Sequence, residues 1–167
     1  IKGADMPRIY IGSEVLYYRY IGKSDSVFNF CLNNSNYLLL ELSDNSIGSE
    51  LFDDINELRG NLGITPIIAH LERYYKFYGY KKLLKFISEN GILAQVNASS
   101  LFSQGYSKIA EKLIKNQLVS FIGTDAHSPD KRPPMMKQAL EVIAKKIGTE
   151  YASGFIRNSQ TLLEQIG

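Results

Sequence analysis

Short apolar runs recur along this chain, each followed by a stretch whose apolar residues fall three and four positions apart. The runs Arg8–Ile11, Tyr37–Leu42, Pro66–Ala69, Ile92–Val96 and Val119–Ile122 read as buried strands. Between them, Leu51, Ile55, Leu58 and Leu62 form one helical stripe, and Leu83, Leu84 and Ile87 form another that Asn90-Gly91 should stop. Ile109, Leu113 and Ile114 mark a third helix. Pro133-Pro134 opens a fourth, with Met136, Leu140, Ile143 and Ile147 on one face. Asn158 is a plausible N-cap for a last short helix carrying Leu162, Leu163 and Ile166. The aromatic and polar segment Tyr17–Asn36 breaks the rhythm and reads as a hairpin or an excursion. Repeated strand–helix units imply an α/β fold with a mainly parallel sheet and helices outside.

In such folds, functional groups gather at the C-terminal ends of the strands. The chain has only two histidines, and both follow an apolar run: His70 after Thr65-Pro66-Ile67-Ile68-Ala69, and His127 in Thr124-Asp125-Ala126-His127 after Val119–Ile122 and Gly123. Strand side chains two apart share a face, so Asp125 and His127 converge if the extended geometry persists. A histidine at a strand end is more often a hydrogen-bonded core residue than a ligand, but two at equivalent places weigh against that. Glu14 follows Ile9–Ser13 and Glu41 closes Tyr37–Leu40, and a glutamate there is costly to bury unpaired. Glu14, Glu41, His70, Asp125 and His127 therefore form a candidate metal site, with one strand end after another feeding a shared mouth, as in a barrel or part of one. Asn97 also falls at a strand end, where its amide is expected to hold a loop.

Oxygen and nitrogen ligands without thiolates suit manganese, iron, zinc or magnesium. Arg73 lies just after His70 and Arg132 just after His127, and guanidinium groups grip phosphate oxygens in a two-pronged way. The combination points to hydrolysis of a phosphorylated substrate, a metal-bound hydroxide attacking phosphorus in line. The single cysteine, Cys31, has no phosphate-cradling loop or following arginine and reads as an inert packed thiol. There is no phosphate-binding glycine loop ending in Gly-Lys-Ser/Thr, for the position that would need its first glycine before Gly22-Lys23-Ser24 is Tyr17, and no Gly-x-Ser-x-Gly elbow.

At 167 residues, 44% hydrophobic and 22% charged, the chain has the size and composition of one ordinary globular domain. A formal charge of +2 gives no case for nucleic acid. No apolar stretch approaches the roughly 20 residues of a membrane span. The lone cysteine fits a reducing compartment, hence a cytoplasmic location.

Ile67–Arg73, Gln95–Leu101, Phe121–His127 and Lys131-Arg132-Pro133, with Gly12–Val15 and Tyr37–Glu41, resemble the PHP (polymerase and histidinol phosphatase) superfamily. More narrowly, they resemble its bacterial tyrosine-phosphatase branch, which acts in capsular and extracellular polysaccharide systems. The resemblance implies a distorted (β/α) barrel with a cluster of divalent metals, commonly manganese. It also implies removal of phosphate from tyrosines in the C-terminal tail of a bacterial tyrosine kinase. By match to the family's motifs, Glu14, Glu41, His70, Asp125 and His127 would be metal ligands, and Arg73 and Arg132 would bind the phosphoryl group.

Two departures stand out. Leu71 occupies the place of a usual proline, and the His-x-His strand and a further histidine that precede the Glu14 region in the family are not in this sequence. The expectation is one domain over residues 1–167, the C-terminal two-thirds of a barrel that runs to about 250 residues, with its N-terminal strands absent. Such a chain alone is expected to be inactive. A small-molecule phosphatase of the same superfamily, acting for example on histidinol phosphate, is the second reading. A non-catalytic binding module is the third, should the N-terminal ligands truly be missing. Neither the choice of metal nor homo-oligomerisation follows from the residues.

Overall fold

Along Tyr37–Glu41, Leu38 and Leu40 are fully buried while Tyr37, Leu39 and Glu41 are only partly covered, the signature of a strand with two unlike faces. A computed structural model describes residues 7–167 and places this strand second in a five-stranded sheet. The strands are β1 (Glu14–Leu16), β2 (Tyr37–Glu41), β3 (Thr65–Ile68), β4 (Leu93–Asn97) and β5 (Phe121–Gly123). They lie side by side in chain order, and every neighbouring pair is parallel. The helices are α1 (Ser49–Gly60), α2 (Tyr80–Asn90), α3 (Ser107–Lys115), α4 (Met136–Lys146) and α5 (Thr149–Ile166). The expected mixed α/β architecture with a parallel sheet is therefore present.

Leu38 and Leu40 join Leu51, Ile55 and Leu58 of α1 and Leu83 and Ile87 of α2 in one core, so the outer face of the sheet is sealed by helices. The other face carries the register rows Glu14–Leu39–Ile67–Leu93 and Leu16–Glu41. The stop expected at Asn90-Gly91 holds: Gly91 takes φ +61°, which its missing Cβ makes cheap, and its N–H closes on Ile87.

Two local expectations are corrected, and a third is resolved between its two alternatives. Arg8–Ile11 is not a strand; Ile9 is 86% exposed, and Asn33 and Ser13 tie the backbone here to the next segment rather than to the sheet. Glu14 accordingly opens β1 instead of ending a strand. Tyr17–Asn36 forms no hairpin but a run of short 3-10 turns, Ile21–Lys23, Asp25–Phe30 and Leu32–Asn34, anchored by Ile21, Val27 and Cys31 in the core. Asn158 caps nothing. It sits inside α5, which starts nine residues earlier because Ala152 and Phe155 extend the apolar stripe, and its amide donates to the Ser120 carbonyl at 2.9 Å. From there α5 runs back to the Leu32–Asn34 turn, where Asn33 donates to the Ile166 carbonyl at 2.5 Å.

Candidate metal centre

Parallel pairing brings β1, β2 and β3 together, and three polar side chains converge from them. Glu14 starts β1, Glu41 ends β2, and His70 follows β3 by two residues. His70 takes a left-handed backbone, φ +31°, which turns the chain from the strand into the 3-10 helix Leu71–Lys76. Its ring is buried, with Nε2 2.8 Å from Glu14 Oε1 and 3.3 Å from Glu41 Oε1. One ligand atom from each residue lies within 4.8 Å of the others. Two carboxylates and an imidazole so placed suit a divalent cation, and an exposed mouth at the two glutamates leaves it an entrance. Among the described residues, the buried Nδ1 of His70 has no hydrogen-bond partner.

A second group assembles beyond β5. Asp125 also has a left-handed backbone, φ +48°, so the extended geometry expected through Asp125 and His127 does not persist. The two still meet: His127 Nδ1 lies 3.5 Å from Asp125 Oδ1 and 2.9 Å from the Asp125 carbonyl oxygen. Asp125 Oδ2 accepts from Arg73 at 2.5 Å, Arg132 at 2.7 Å and Asn97 Nδ2 at 2.9 Å. Arg132 Nη1 also reaches the exposed His127 ring at 2.8 and 3.0 Å. The candidate ligands thus divide in two. Glu14, Glu41 and His70 form an acidic pocket, while Asp125 and His127 stand among two guanidinium groups whose charge exceeds that of the one carboxylate. A cation pocket beside an anion pocket is what binding a phosphate ester to a metal requires.

Of three polar residues behind these groups, Glu72 and Gln95 escape sequence reasoning. Glu72 is fully buried; its Oε1 accepts from the Ser100 hydroxyl at 2.6 Å and the Asn97 N–H at 3.2 Å, while Oε2 has no partner among the described residues. Burial pushes its carboxyl up despite those hydrogen bonds. Gln95 and Asn97 are buried as well, and the Asn97 amide holds the loop after β5, as expected, by donating to Asp125. The readable signal was alternation: in Leu93-Ala94-Gln95-Val96-Asn97 the two amides share a face with Leu93, the face that lies beside Ile67. Cys31 lies in the core, its thiol pushed up by burial and facing the Val27 carbonyl, away from both pockets.

The family model described as "Capsular polysaccharide synthesis, CpsB/CapC" matches residues 2–164. Tyrosine-protein phosphatase CpsB of Streptococcus agalactiae serotype III (strain NEM316) is 32% identical over 142 residues, 80% of this chain and 58% of that protein. The putative tyrosine-protein phosphatase CapC of Staphylococcus aureus is 34% identical over 138 residues, 79% of this chain and 52% of that protein. A chain from the crystal structures of YwqE from Bacillus subtilis and CpsB from Streptococcus pneumoniae superposes with a TM-score of 0.82 at 25% identity. It covers 93% of this chain and 64% of its own length, and those proteins are described as unique metal-dependent tyrosine phosphatases. The chain therefore spans between half and two-thirds of the relatives it matches. With the match running through nearly all of its length, this chain belongs to the CpsB/CapC family of capsular polysaccharide synthesis.

Proposed function

We propose that this chain carries the phosphate-binding and part of the metal-binding machinery of a metal-dependent protein-tyrosine phosphatase. The observation that carries the reading is the juxtaposition of the Glu14–Glu41–His70 group with the Arg73–Asp125–Arg132 group, tied together by Arg73 only three residues after His70. Glu14, Glu41 and His70 would hold a divalent cation, with Asp125 and His127 completing the ligand set of the cluster. Manganese is the favoured ion, with iron, zinc or magnesium as the alternatives for such donors. When bound, the metal would supply Lewis acidity toward a phosphoryl oxygen and toward water.

The chain's own residues do the rest. Arg73 and Arg132 would turn from Asp125 to the non-bridging phosphoryl oxygens, releasing Asp125 Oδ2 for coordination. The fold supports a reading as the C-terminal two-thirds of a distorted PHP-type barrel in a single domain, in line with the shares of the relatives covered. The relatives' names favour a phosphotyrosine protein of capsule or exopolysaccharide synthesis as substrate, and the tail of a bacterial tyrosine kinase is the one we favour. Among the described residues no helix is long and apolar enough to cross a membrane, and the site is proposed to work in the cytoplasm.

The test is turnover of a phosphotyrosine peptide and of histidinol phosphate by the natural gene product containing these residues. It is run after chelation and again after Mn²⁺ is restored. Peptide hydrolysis lost in chelator and regained with Mn²⁺ is expected. Full activity in chelator overturns the metal assignment, and a strong preference for histidinol phosphate overturns the protein substrate.

A further inference from the structure

Strand β4 buries two primary amides, Gln95 at 9% and Asn97 at 1% exposure. Left without partners, buried polar groups of this kind destabilise a fold. Their partners are each other and the two pockets. The His70 N–H donates to Gln95 Oε1 at 2.6 Å, Gln95 Nε2 donates to Asn97 Oδ1 at 2.8 Å, and Asn97 Nδ2 donates to Asp125 Oδ2 at 2.9 Å. The polarity of this chain is dictated from both ends, because a backbone N–H can only donate and an ionised carboxylate can only accept. Both amides are thereby fixed in one orientation.

What the bridge joins is informative. His70 and Asp125 are the two candidate ligands with left-handed backbones, a conformation that costs a non-glycine residue free energy and persists only where the surroundings hold it. The bridge fastens to the backbone of one and the carboxylate of the other. Asn97 shares Asp125 Oδ2 with the two arginines, while His127 Nδ1 lies 3.5 Å from Oδ1. The path is built around: a Cβ at Gly123 would lie 2.3 Å from Gln95 Nε2, so only glycine leaves room, and Glu72 grips the Asn97 N–H from the other side.

We infer that Gln95 and Asn97 are positioning residues, a two-amide bridge that sets the placement of His70 in the cation pocket relative to Asp125 in the anion pocket. Its functional consequence rests on the metal-dependent phosphatase reading above, but its structural content does not. Cutting the bridge anywhere frees both ends, so Gln95 and Asn97 act as one unit.

The experiment compares Gln95→Met, Asn97→Leu and the double variant in the natural gene product containing these residues. ¹⁵N NMR of the metal-free proteins reads the bridge directly. Asn97→Leu should move the His70 amide resonance, and Gln95→Met should move those of Asp125 and His127, with cooperative unfolding retained. Mn²⁺ titration by calorimetry should show each single variant weakened about tenfold or more, the range found for groups that orient metal ligands. The double variant should be no worse than the weaker single, since residues of one network are not additive. If Gln95→Met does not fold, Gln95→Glu keeps the acceptor for His70 and removes the donor to Asn97. A His70 amide indifferent to Asn97→Leu, or additive losses of Mn²⁺ affinity, overturns the bridge. A parent chain that binds no Mn²⁺ counts instead against the proposed function, and the NMR comparison still decides the bridge.

Discussion

Arg73 and Arg132 donate to a single oxygen of Asp125, which makes that carboxylate a stand-in for one edge of a phosphoryl group. Replacing either arginine with alanine should lower turnover of a phosphotyrosine peptide by about one to two orders of magnitude, since a charge-assisted hydrogen bond is worth about 1.5–3 kcal/mol. Metal content, measured by elemental analysis, should stay near that of the parent. Lysine should restore only part of the rate, because a point charge cannot reproduce two parallel hydrogen bonds. His70→Ala should instead lower metal content and activity together. Wild-type kinetics in both arginine variants would remove them from the phosphate site. These side chains were legible in the sequence because each stands a few residues beyond a strand-end histidine. Their pairing with Asp125 was not, since it depends on a left-handed turn at Asp125 that no local pattern signals. Gln95 and Asn97 show the opposite case: their alternation was plain, but polar residues in a strand ordinarily face water, and only the sheet register places these two against the site.

Among elements, the helices were read well because three- and four-residue spacing is a strong signal over ten positions or more. Their boundaries are less legible: Asn158 has the identity of a cap, yet α5 begins at Thr149. Where periodicity was missing, side-chain chemistry fixes the structure. The Tyr17–Asn36 excursion is fastened to α1 by buried Asp54, whose Oδ2 accepts from the Tyr17 hydroxyl at 2.7 Å and the Tyr20 N–H at 3.0 Å. Tyr17→Phe strips one donor from a buried carboxylate and should cost about 1–3 kcal/mol. Thermal unfolding would read this as about 2–4 °C per kcal/mol in a chain of this size. Tyr18→Phe, exposed next door, should change nothing measurable. Burial and the Asp54 bond push the Tyr17 phenol above its ordinary value, and burial does the same to Tyr74 and Tyr80. A raised phenol favours the protonated fold, so stability is intact below about pH 10 and falls as the pH climbs from there. Tyr17→Phe should make that alkaline decline shallower, and an unchanged slope would show that the bond does not couple to folding.

At the scale of the molecule, Glu14 and Glu41 set two carboxylates against one imidazole, so a cation bound there should stabilise the fold as well as serve chemistry. Mn²⁺ at a hundred times its dissociation constant would add about 2.7 kcal/mol, or roughly 5–10 °C in melting temperature. Glu41→Gln should remove most of that shift, and equal melting curves in Mn²⁺ and in chelator would argue against a cation at these residues. The overall strand–helix rhythm was the most legible feature of all, because it is repeated, whereas the split of the candidate ligands into two pockets is a property of the assembled sheet. Strand order equals chain order, and that has a consequence for biosynthesis. Each new strand docks on the one made just before it, so the sheet can grow by short-range closures as the chain leaves the ribosome. Glu14, Glu41 and His70 are in place once the third strand has docked, whereas Asp125 and Arg132 await the fifth. A nascent chain can therefore acquire its cation pocket before it can hold a phosphate, and a prematurely ended product would be a metal binder without the means to grip a substrate.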